Sequence, residues 1–496
     1  MTLRISWILC ALGGVLSAAC GSDGGSSAAV MPFDPNANTV TDTDNATAGE
    51  DPATDGSEPG DTGEAGETDT PADTPTMPGG EVEDPAEVED PAEVEDPEVD
   101  PGEDPVVEPP DEDPTDPVDE PDVPPSDPVV DVPDLVEGCP GQQLRAGIPE
   151  DLGAPGPWPV GAVTTQLGGI TTEVWYPAQF GSEVDAQRAV YDVRLQLPPE
   201  NQDSIPDENT PWQECDCFEG LPLDTEAGPY PVVIFVHGTG GFRTTNLENA
   251  VHWASRGFIV ASSDHPGIKL GDIVSGTGTT DQGGDARRVL EDLAAPSGEA
   301  AFLDGHLDLT RVGAMGHSAG GNAVSGLGDV ADVIIPYAGG GAISTDRVDS
   351  VLFVTGDTDS VVAASTAGYD GSDTSIRRQV YIANGGHIVG GSMCLMRDPT
   401  DPSKDLVDIA GDHQALGPIG TGLLLPFFGG LFDGCNELAE DEEPFIPASR
   451  GIAVLNYATA GQLEERLHCS DTAAAQLAQT QARFGDDVSL YQETLP

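Results

Sequence analysis

A serine placed to act as a nucleophile lies in the sequence Gly316-His317-Ser318-Ala319-Gly320. This G-x-S-x-G pattern follows a predicted strand at 311–315 and opens a predicted helix at 319–327, which is the context that such a serine turn requires. The glycines allow a sharp turn that exposes the Ser318 hydroxyl, and the Ala319 amide at the helix N-terminus can donate to an oxyanion. The pattern therefore predicts Ser318 as a nucleophile in acyl transfer.

A serine hydroxyl is a weak nucleophile near neutral pH and needs a base, which in turn needs an orienting acid. Of the histidines downstream, His387 follows a predicted strand at 379–383 in a glycine-containing loop. His413 lies in an acidic segment, and His468 is next to a cysteine and reads as structural. We therefore predict His387 as the base.

Two carboxylates are candidates for the orienting acid. Asp357 and Asp359 both follow a predicted strand at 350–355, at the end where active-site loops collect. We favour Asp359, which a small polar residue and two valines follow. Asp357, beside Gly356, is the alternative, because it could instead hold the turn through an Asx hydrogen bond.

The loop His237-Gly238-Thr239-Gly240-Gly241 is expected to supply the second oxyanion donor. It follows a predicted buried strand at 231–236, and its glycines let backbone amides face the site. We predict the Thr239 N–H as that donor. For His237 we favour a structural role, in which its ring anchors the loop, over a catalytic one.

The elements around these loops alternate between short, β-branched apolar runs and helical patterns, which predicts an α/β protein with a mostly parallel sheet covered by helices on both faces. Further strands are predicted at 171–176, 258–262 and 330–337, and further helices at 246–256, 285–295 and 472–484. Two stretches do not fit this repeat, at about 178–229 and 394–450, and we read both as insertions. Within the second, the apolar run 423–428 is a candidate lid or acyl-pocket lining, or simply buried core.

The net charge of −70 is unevenly distributed along the 496 residues. Residues 21–138 hold 38 Asp and Glu, no Lys or Arg, and 21 of the 44 prolines. Such a tract cannot bury enough apolar surface to offset its chain entropy, so we predict a disordered, self-repelling linker. Residues 139–496 then form the catalytic domain, and the acidic balance argues against binding nucleic acid.

Residues 1–20 are typical of an export signal, with Arg4, an apolar run and small residues before Cys20. The ending resembles a bacterial lipoprotein signal, in which Cys20 would be lipidated; an ordinary secretory signal is the alternative. We therefore expect a cell-envelope location, as an outer-membrane lipoprotein or a secreted protein, with membrane contact through the lipid anchor only.

Six cysteines follow the signal: Cys139, Cys215, Cys217, Cys394, Cys435 and Cys469. In an exported chain they suggest up to three disulfides, and their pairing stays open. We expect Cys215 and Cys217 to pair elsewhere, because one residue of separation leaves little room for a bridge. Zinc-type ligand spacing does not occur in the sequence, and we expect neither a metal nor an organic cofactor.

Several segments together resemble the α/β-hydrolase superfamily, and more narrowly the platelet-activating-factor acetylhydrolase and dienelactone-hydrolase-like serine esterases. Bacterial polyester hydrolases of the cutinase type share part of the pattern, including the flank 359–361. The matching segments are 172–178, 237–243, 255–260, 264–267 and 316–321.

The resemblance implies hydrolysis of carboxylic esters, with Ser318, Asp359 and His387 as triad and the Thr239 and Ala319 amides as oxyanion hole. It implies a small-molecule or lipid ester as substrate, of short-chain acyl or phospholipid type, and we expect a monomer. A lipase or cutinase-type polyester hydrolase is the main rival. An inactive recognition module on an acidic stalk is the non-enzymatic alternative.

Overall fold

The computed structural model of the chain describes residues 131–417 and 445–496. The predicted signal, the lipidation site Cys20, nearly all of the acidic linker and the apolar run 423–428 lie outside the described residues. The predictions made for them therefore stay predictions.

Apolar, β-branched runs form the strands, as the sequence pattern predicts. The central strand β7 is buried along its whole length, which is typical of a strand covered on both faces. The strands are β1 (Leu135–Glu137), β2 (Gln143–Arg145), β3 (Val160–Leu167), β4 (Ile170–Pro177), β5 (Arg188–Tyr191), β6 (Gln213–Glu219), β7 (Tyr230–Val236), β8 (Ile259–Ser263), β9 (Leu307–His317), β10 (Val333–Tyr337), β11 (Ser350–Gly356), β12 (Ile376–Ile382) and β13 (Val488–Thr494).

Eleven of these strands form one sheet in the order β13-β12-β11-β10-β9-β7-β8-β4-β3-β6-β5. The six neighbours from β12 to β8 are all parallel, so their carboxyl ends meet at one edge. This large, mostly parallel sheet is compatible with an α/β-hydrolase fold. Ligands in such sheets bind outside the carboxyl ends of the strands. The loops that contain the predicted site residues follow the strands at this edge.

Helices cover both faces of the sheet. None of those within the described ranges is both long and apolar enough to cross a membrane. The helices are α1 (Pro199–Gln202), α2 (Leu247–Ser255), α3 (Leu270–Ser275), α4 (Gln282–Leu293), α5 (Ala319–Ser325), α6 (Val362–Gly371), α7 (Leu406–Asp412), α8 (Ala448–Leu467), α9 (Asp471–Leu477) and α10 (Thr480–Phe484).

The two faces of β7 show how the core is divided. Val233 and Phe235 join the apolar cluster beneath α2 and α8. Val232 and Ile234 join the cluster beneath α4 and α5. Successive side chains of a strand point to opposite faces, so this run of apolar residues supplies both cores and holds β7 rigidly between them.

The segment 178–229 contributes to the sheet, although we read it as an insertion decorating it. β6 pairs in parallel with β3 through Gly161 and Phe218, and β5 pairs antiparallel with β6 at the sheet's edge. The alternation of buried and exposed residues along β6 fits a strand with one covered face.

The expectation that Cys215 and Cys217 pair elsewhere is wrong, because they form a disulfide with each other. Both point to the same buried side of β6, and their Cα atoms are 5.1 Å apart, within the usual disulfide range of about 4.4–6.8 Å. A second disulfide joins Cys139 to Cys469, and Cys394 is disulfide-bonded as well.

The C-terminal region differs from the predicted single helix at 472–484. It forms two short helices, α9 and α10, followed by β13, which pairs antiparallel with β12 at the other edge of the sheet. The sequence also did not predict the long helix α8. That helix is buried around most of its circumference, so its sequence has little of the apolar–polar contrast that identifies a surface helix.

Candidate active site

The turn between β9 and α5 places Ser318 at the carboxyl edge of the sheet. Ser318 has φ 55° and ψ −115°, a strained conformation that non-glycine residues rarely adopt and that clusters at functional sites. The flanking glycines make the turn possible. A Cβ on Gly320 would lie 2.0 Å from the Val236 carbonyl oxygen, and one on Gly316 would lie 2.3 Å from the Gly320 carbonyl oxygen.

The structure brings Ser318, His387 and Asp359 together, although they come from loops after three different strands. His387 Nε2 is 2.9 Å from Ser318 Oγ, and His387 Nδ1 is 3.0 Å from Asp359 Oδ2. These are the contacts by which a histidine can take a serine proton while a carboxylate orients the ring. The geometry fits the predicted roles, which remain predictions about catalysis.

Asp359 is buried and held in the ionised form. Val361 N–H and the Thr355 hydroxyl donate to its two oxygens at 3.0 and 3.2 Å. Burial alone would raise the pKa of Asp359, but its hydrogen bond and attraction to His387, with the Val361 amide, hold that pKa below the usual value. An ionised carboxylate at this position favours a proton on His387 Nδ1, which leaves Nε2 free to accept from Ser318.

Asp357, the alternative acid, faces a different partner. Its Oδ1 accepts a hydrogen bond from the Asn384 backbone N–H at 2.8 Å, in an exposed position. It thus holds the turn between β12 and the loop that carries His387. The structure brings Asp359, and not Asp357, to the His387 ring.

A small cavity at Ser318 has one of the two predicted oxyanion donors in its wall. Thr239 lines it together with Gly238, Ser318 and His387, and Ala319 is the first residue of α5, next to Ser318. Neither the Thr239 nor the Ala319 amide donates a hydrogen bond to any other group in the described part of the chain. Two amides that have no acceptor among the described residues are available to stabilise a developing oxyanion.

The His237 ring holds the loop 237–241 in place, which is the structural role that the sequence favoured. The buried ring contacts the Gly238 carbonyl oxygen through Nδ1 at 2.8 Å and accepts the His265 backbone N–H at Nε2 at 3.0 Å. Gly238 is also required by packing, because a Cβ there would be 2.9 Å from His317 Nδ1.

Two residues that the sequence did not identify as functional hold the loop that contains His387. His317 Nε2 lies 2.9 Å from the His387 carbonyl oxygen, and the Tyr337 hydroxyl donates to the Val389 carbonyl oxygen. His317 occupies a variable position of the G-x-S-x-G pattern and Tyr337 ends a buried strand, so no local signal distinguishes either one.

Four buried histidines predict a strong loss of stability in acid. Burial lowers the pKa of His237, His317 and His468 to about 3 and that of His252 to about 4, from an ordinary value of 6.5. Between those values the unfolded chain binds more protons than the folded one, so the free energy of unfolding falls as pH falls below 6.5. Each group costs about 2 kcal/mol at pH 5, and four approach the whole net stability of a typical domain.

Urea unfolding followed by tryptophan fluorescence at pH 7, 6 and 5 measures this effect. We expect the midpoint to fall steeply over that range. His252→Gln, which keeps a donor for the Leu152 carbonyl oxygen but does not titrate, should weaken the pH dependence by about one proton. Equal midpoints at pH 7 and pH 5 would contradict the prediction.

No group of three or more His, Cys, Asp and Glu side chains within 131–417 and 445–496 is arranged to hold a metal ion.

Residues 209–267 match the model of the family described as platelet-activating factor acetylhydrolase, isoform II. The matched stretch spans β6, β7, the loop 237–241, α2 and β8, and it ends before Ser318. A search of the curated proteins found no match. The family match supports a hydrolase of the esterase kind.

Proposed function

We propose that this chain is an exported serine esterase that cleaves carboxylic esters, of short-chain acyl or phospholipid type, through an acyl-enzyme. The observation that carries the proposal is the hydrogen-bonded series from Ser318 through His387 to Asp359. The family match over residues 209–267 supports the same chemistry, and it does so independently of Ser318, which lies outside the matched range.

In the first step, Ser318 Oγ attacks the ester carbonyl carbon while its proton moves to His387 Nε2. The carbonyl oxygen becomes an oxyanion, which the Thr239 and Ala319 amides stabilise. Asp359 stabilises the imidazolium through Nδ1 without taking the proton. The oxyanion then collapses, the bond to the alcohol oxygen breaks, and the alcohol leaves with the proton from His387.

In the second step, water attacks the acyl-enzyme. His387 Nε2 accepts one water proton as the water oxygen bonds to the acyl carbon, and the same two amides hold the second oxyanion. Breaking the bond to Ser318 Oγ releases the carboxylic acid, and the proton on His387 returns to Ser318. The enzyme is then in its starting state.

Export and anchoring belong to the proposal as well. The disulfides Cys139–Cys469 and Cys215–Cys217 support an oxidising compartment, because such bonds persist mainly outside the cytosol. We propose lipidation at Cys20 and an acidic tether of residues 21–138. The mass of the mature N-terminal peptide, isolated from the native host membrane, tests the lipid.

A fluorophosphonate probe and an ester panel test the activity. We expect the probe to label Ser318, identified by peptide mass, because labelling requires an activated serine. The panel compares p-nitrophenyl acetate and butyrate, a phospholipid with a short sn-2 chain, a long-chain triglyceride and a solid polyester. Release of acid from the first three favours the proposal, and preference for the last two favours the lipase or polyester alternative.

An absence of both labelling and turnover in folded protein would contradict an esterase and favour the recognition module. Heat-unfolded protein is the control for unspecific labelling, since it contains Ser318 without the His387 contact.

A further inference from the structure

A second, apolar cavity lies next to the triad and is built from segments that depart from the regular strand–helix repeat. One wall carries Val193, Leu197 and Ile205 from the segment between β5 and β6, and the opposite wall carries Leu406, Ile409 and Leu416 from α7 and the residues after it. The same side chains belong to a small apolar cluster that is separate from the two main cores. This cluster contains no residue of the sheet's strands, whereas both main cores do.

The apolar cavity adjoins the small cavity that contains Ser318. Gly240 and Met393 line both this cavity and the small one that contains Ser318 and His387. Gly240 follows Thr239, the predicted oxyanion donor, directly in sequence. The two cavities are therefore neighbours, and a chain that extends from Ser318 past Gly240 or Met393 would reach the apolar one.

The lining carries no free charge. Among the described residues around the cavity, Arg194 alone is charged, and its guanidinium is occupied by Asp192 at 2.8 Å and Asp207 at 2.6 Å. A charged group entering the cavity would lose its hydration without gaining a partner. An uncharged chain would bury its surface at no such cost.

Proton transfer to the leaving alcohol indicates which half of the ester would occupy the apolar cavity. The alcohol oxygen must lie beside His387 Nε2 to receive a proton when it leaves. His387 lines the cavity around Ser318 and is not among the residues that line the apolar one. The alcohol half therefore belongs near His387, which leaves the apolar cavity to the acyl half on the other side of the carbonyl.

We propose that this cavity binds the acyl chain of the substrate, and that the chain is uncharged and longer than acetyl. The inference rests on the proposed esterase function and adds the substrate class. The cavity volume is ≈ 70 Å³, several times the about 10–15 Å³ that one water molecule needs, so several carbons fit.

Three p-nitrophenyl esters test the proposal on the unmodified protein: acetate, hexanoate and the monoester of adipic acid. We expect kcat/KM for hexanoate to exceed that for acetate by about tenfold or more, because each buried methylene contributes up to about fourfold. The adipate monoester has the same chain length but ends in a carboxylate, and it should fall about tenfold below hexanoate. Hexyl acetate and ethyl acetate, which vary the alcohol, should differ less.

Ala410→Phe fills the cavity from α7, since Ala410 lines it. We expect the hexanoate-to-acetate ratio of kcat/KM to fall by about tenfold, because the added ring occupies the space of the longer chain. Ala475→Phe, on the exposed side of α9, is the matched control and should leave the ratio unchanged. Thermal unfolding of both variants shows whether the fold is intact.

The outcomes separate this inference from the proposed function. If no ester is hydrolysed and no probe binds, the esterase proposal fails. If acetate is hydrolysed but hexanoate and the adipate monoester are turned over equally well, the acyl site is overturned. A folded Ala410→Phe variant that loses activity equally on acetate and hexanoate would also overturn it. The unmodified protein still decides the question if Ala410→Phe does not fold.

Discussion

Ser318→Ala is expected to lower kcat on p-nitrophenyl butyrate by about 10⁵-fold or more, which is the scale on which removing a serine nucleophile acts. The reason is the geometry of the turn that contains Ser318. Ser318 Oγ is the atom that lies 2.9 Å from His387 Nε2, and without it the acyl-enzyme cannot form. The oxyanion amides remain in the variant, so the residual rate should still exceed that of water alone.

A burst assay with purified protein measures this loss and detects contaminating esterases. Ser325→Ala is the matched control, because Ser325 ends α5, the helix that Ser318 precedes, and its hydroxyl donates to the Gly321 carbonyl oxygen. It should keep near-normal turnover. Esterase activity in a folded Ser318→Ala variant comparable to that of the Ser325→Ala variant would exclude Ser318 as the nucleophile.

Asp359→Asn is expected to lower kcat by about 10³–10⁴-fold with a smaller change in KM. The substitution keeps the size of the side chain but removes the charge that stabilises the His387 imidazolium. The Asn amide group can also donate to His387 Nδ1, which would put the ring proton on Nε2. A protonated Nε2 cannot accept the proton of Ser318. The loss therefore comes from the chemical step and not from binding.

Asp357→Asn is the matched control and decides between the two carboxylates. Its Oδ1 can still accept the Asn384 N–H, so we expect activity within a few-fold of the unmodified protein. Steady-state kinetics from pH 5.5 to 9 on both variants gives the comparison. The opposite pattern, with Asp357→Asn inactive and Asp359→Asn active, would move the acid role to Asp357.

Local patterns in the sequence were enough to predict much of the fold. Each of the strands that precede the loops with Ser318, Asp359, His387 and Thr239 is present, because a run such as that of β7 is apolar on both faces and ends just before a glycine-rich segment. The sheet was predicted to be mostly parallel from strand–helix alternation, and its six central strands are parallel. The turn between β9 and α5 was also predictable, because the two glycines that make its close backbone contacts possible, Gly316 and Gly320, lie within five residues of sequence.

The parts that were missed depend on contacts between distant segments. β5 and β6 were read as part of an insertion, because an edge strand with polar exposed residues has little apolar signal of its own. Helix α8 was missed because it is buried nearly all round. The Cys215–Cys217 bond was rejected on sequence spacing, although both side chains point to the same side of one strand.

The sequence by itself determined the reactive residue types and their local geometry: a serine in a glycine turn, a histidine after a strand, and two candidate carboxylates at one strand end. Only the tertiary structure decided that Asp359 and not Asp357 reaches His387, that His317 holds the His387 carbonyl oxygen, and that two segments outside the regular repeat enclose an apolar cavity beside Ser318. The physical reason is that turn conformation depends on neighbouring residues, whereas these contacts join residues that only the packing of the sheet brings together.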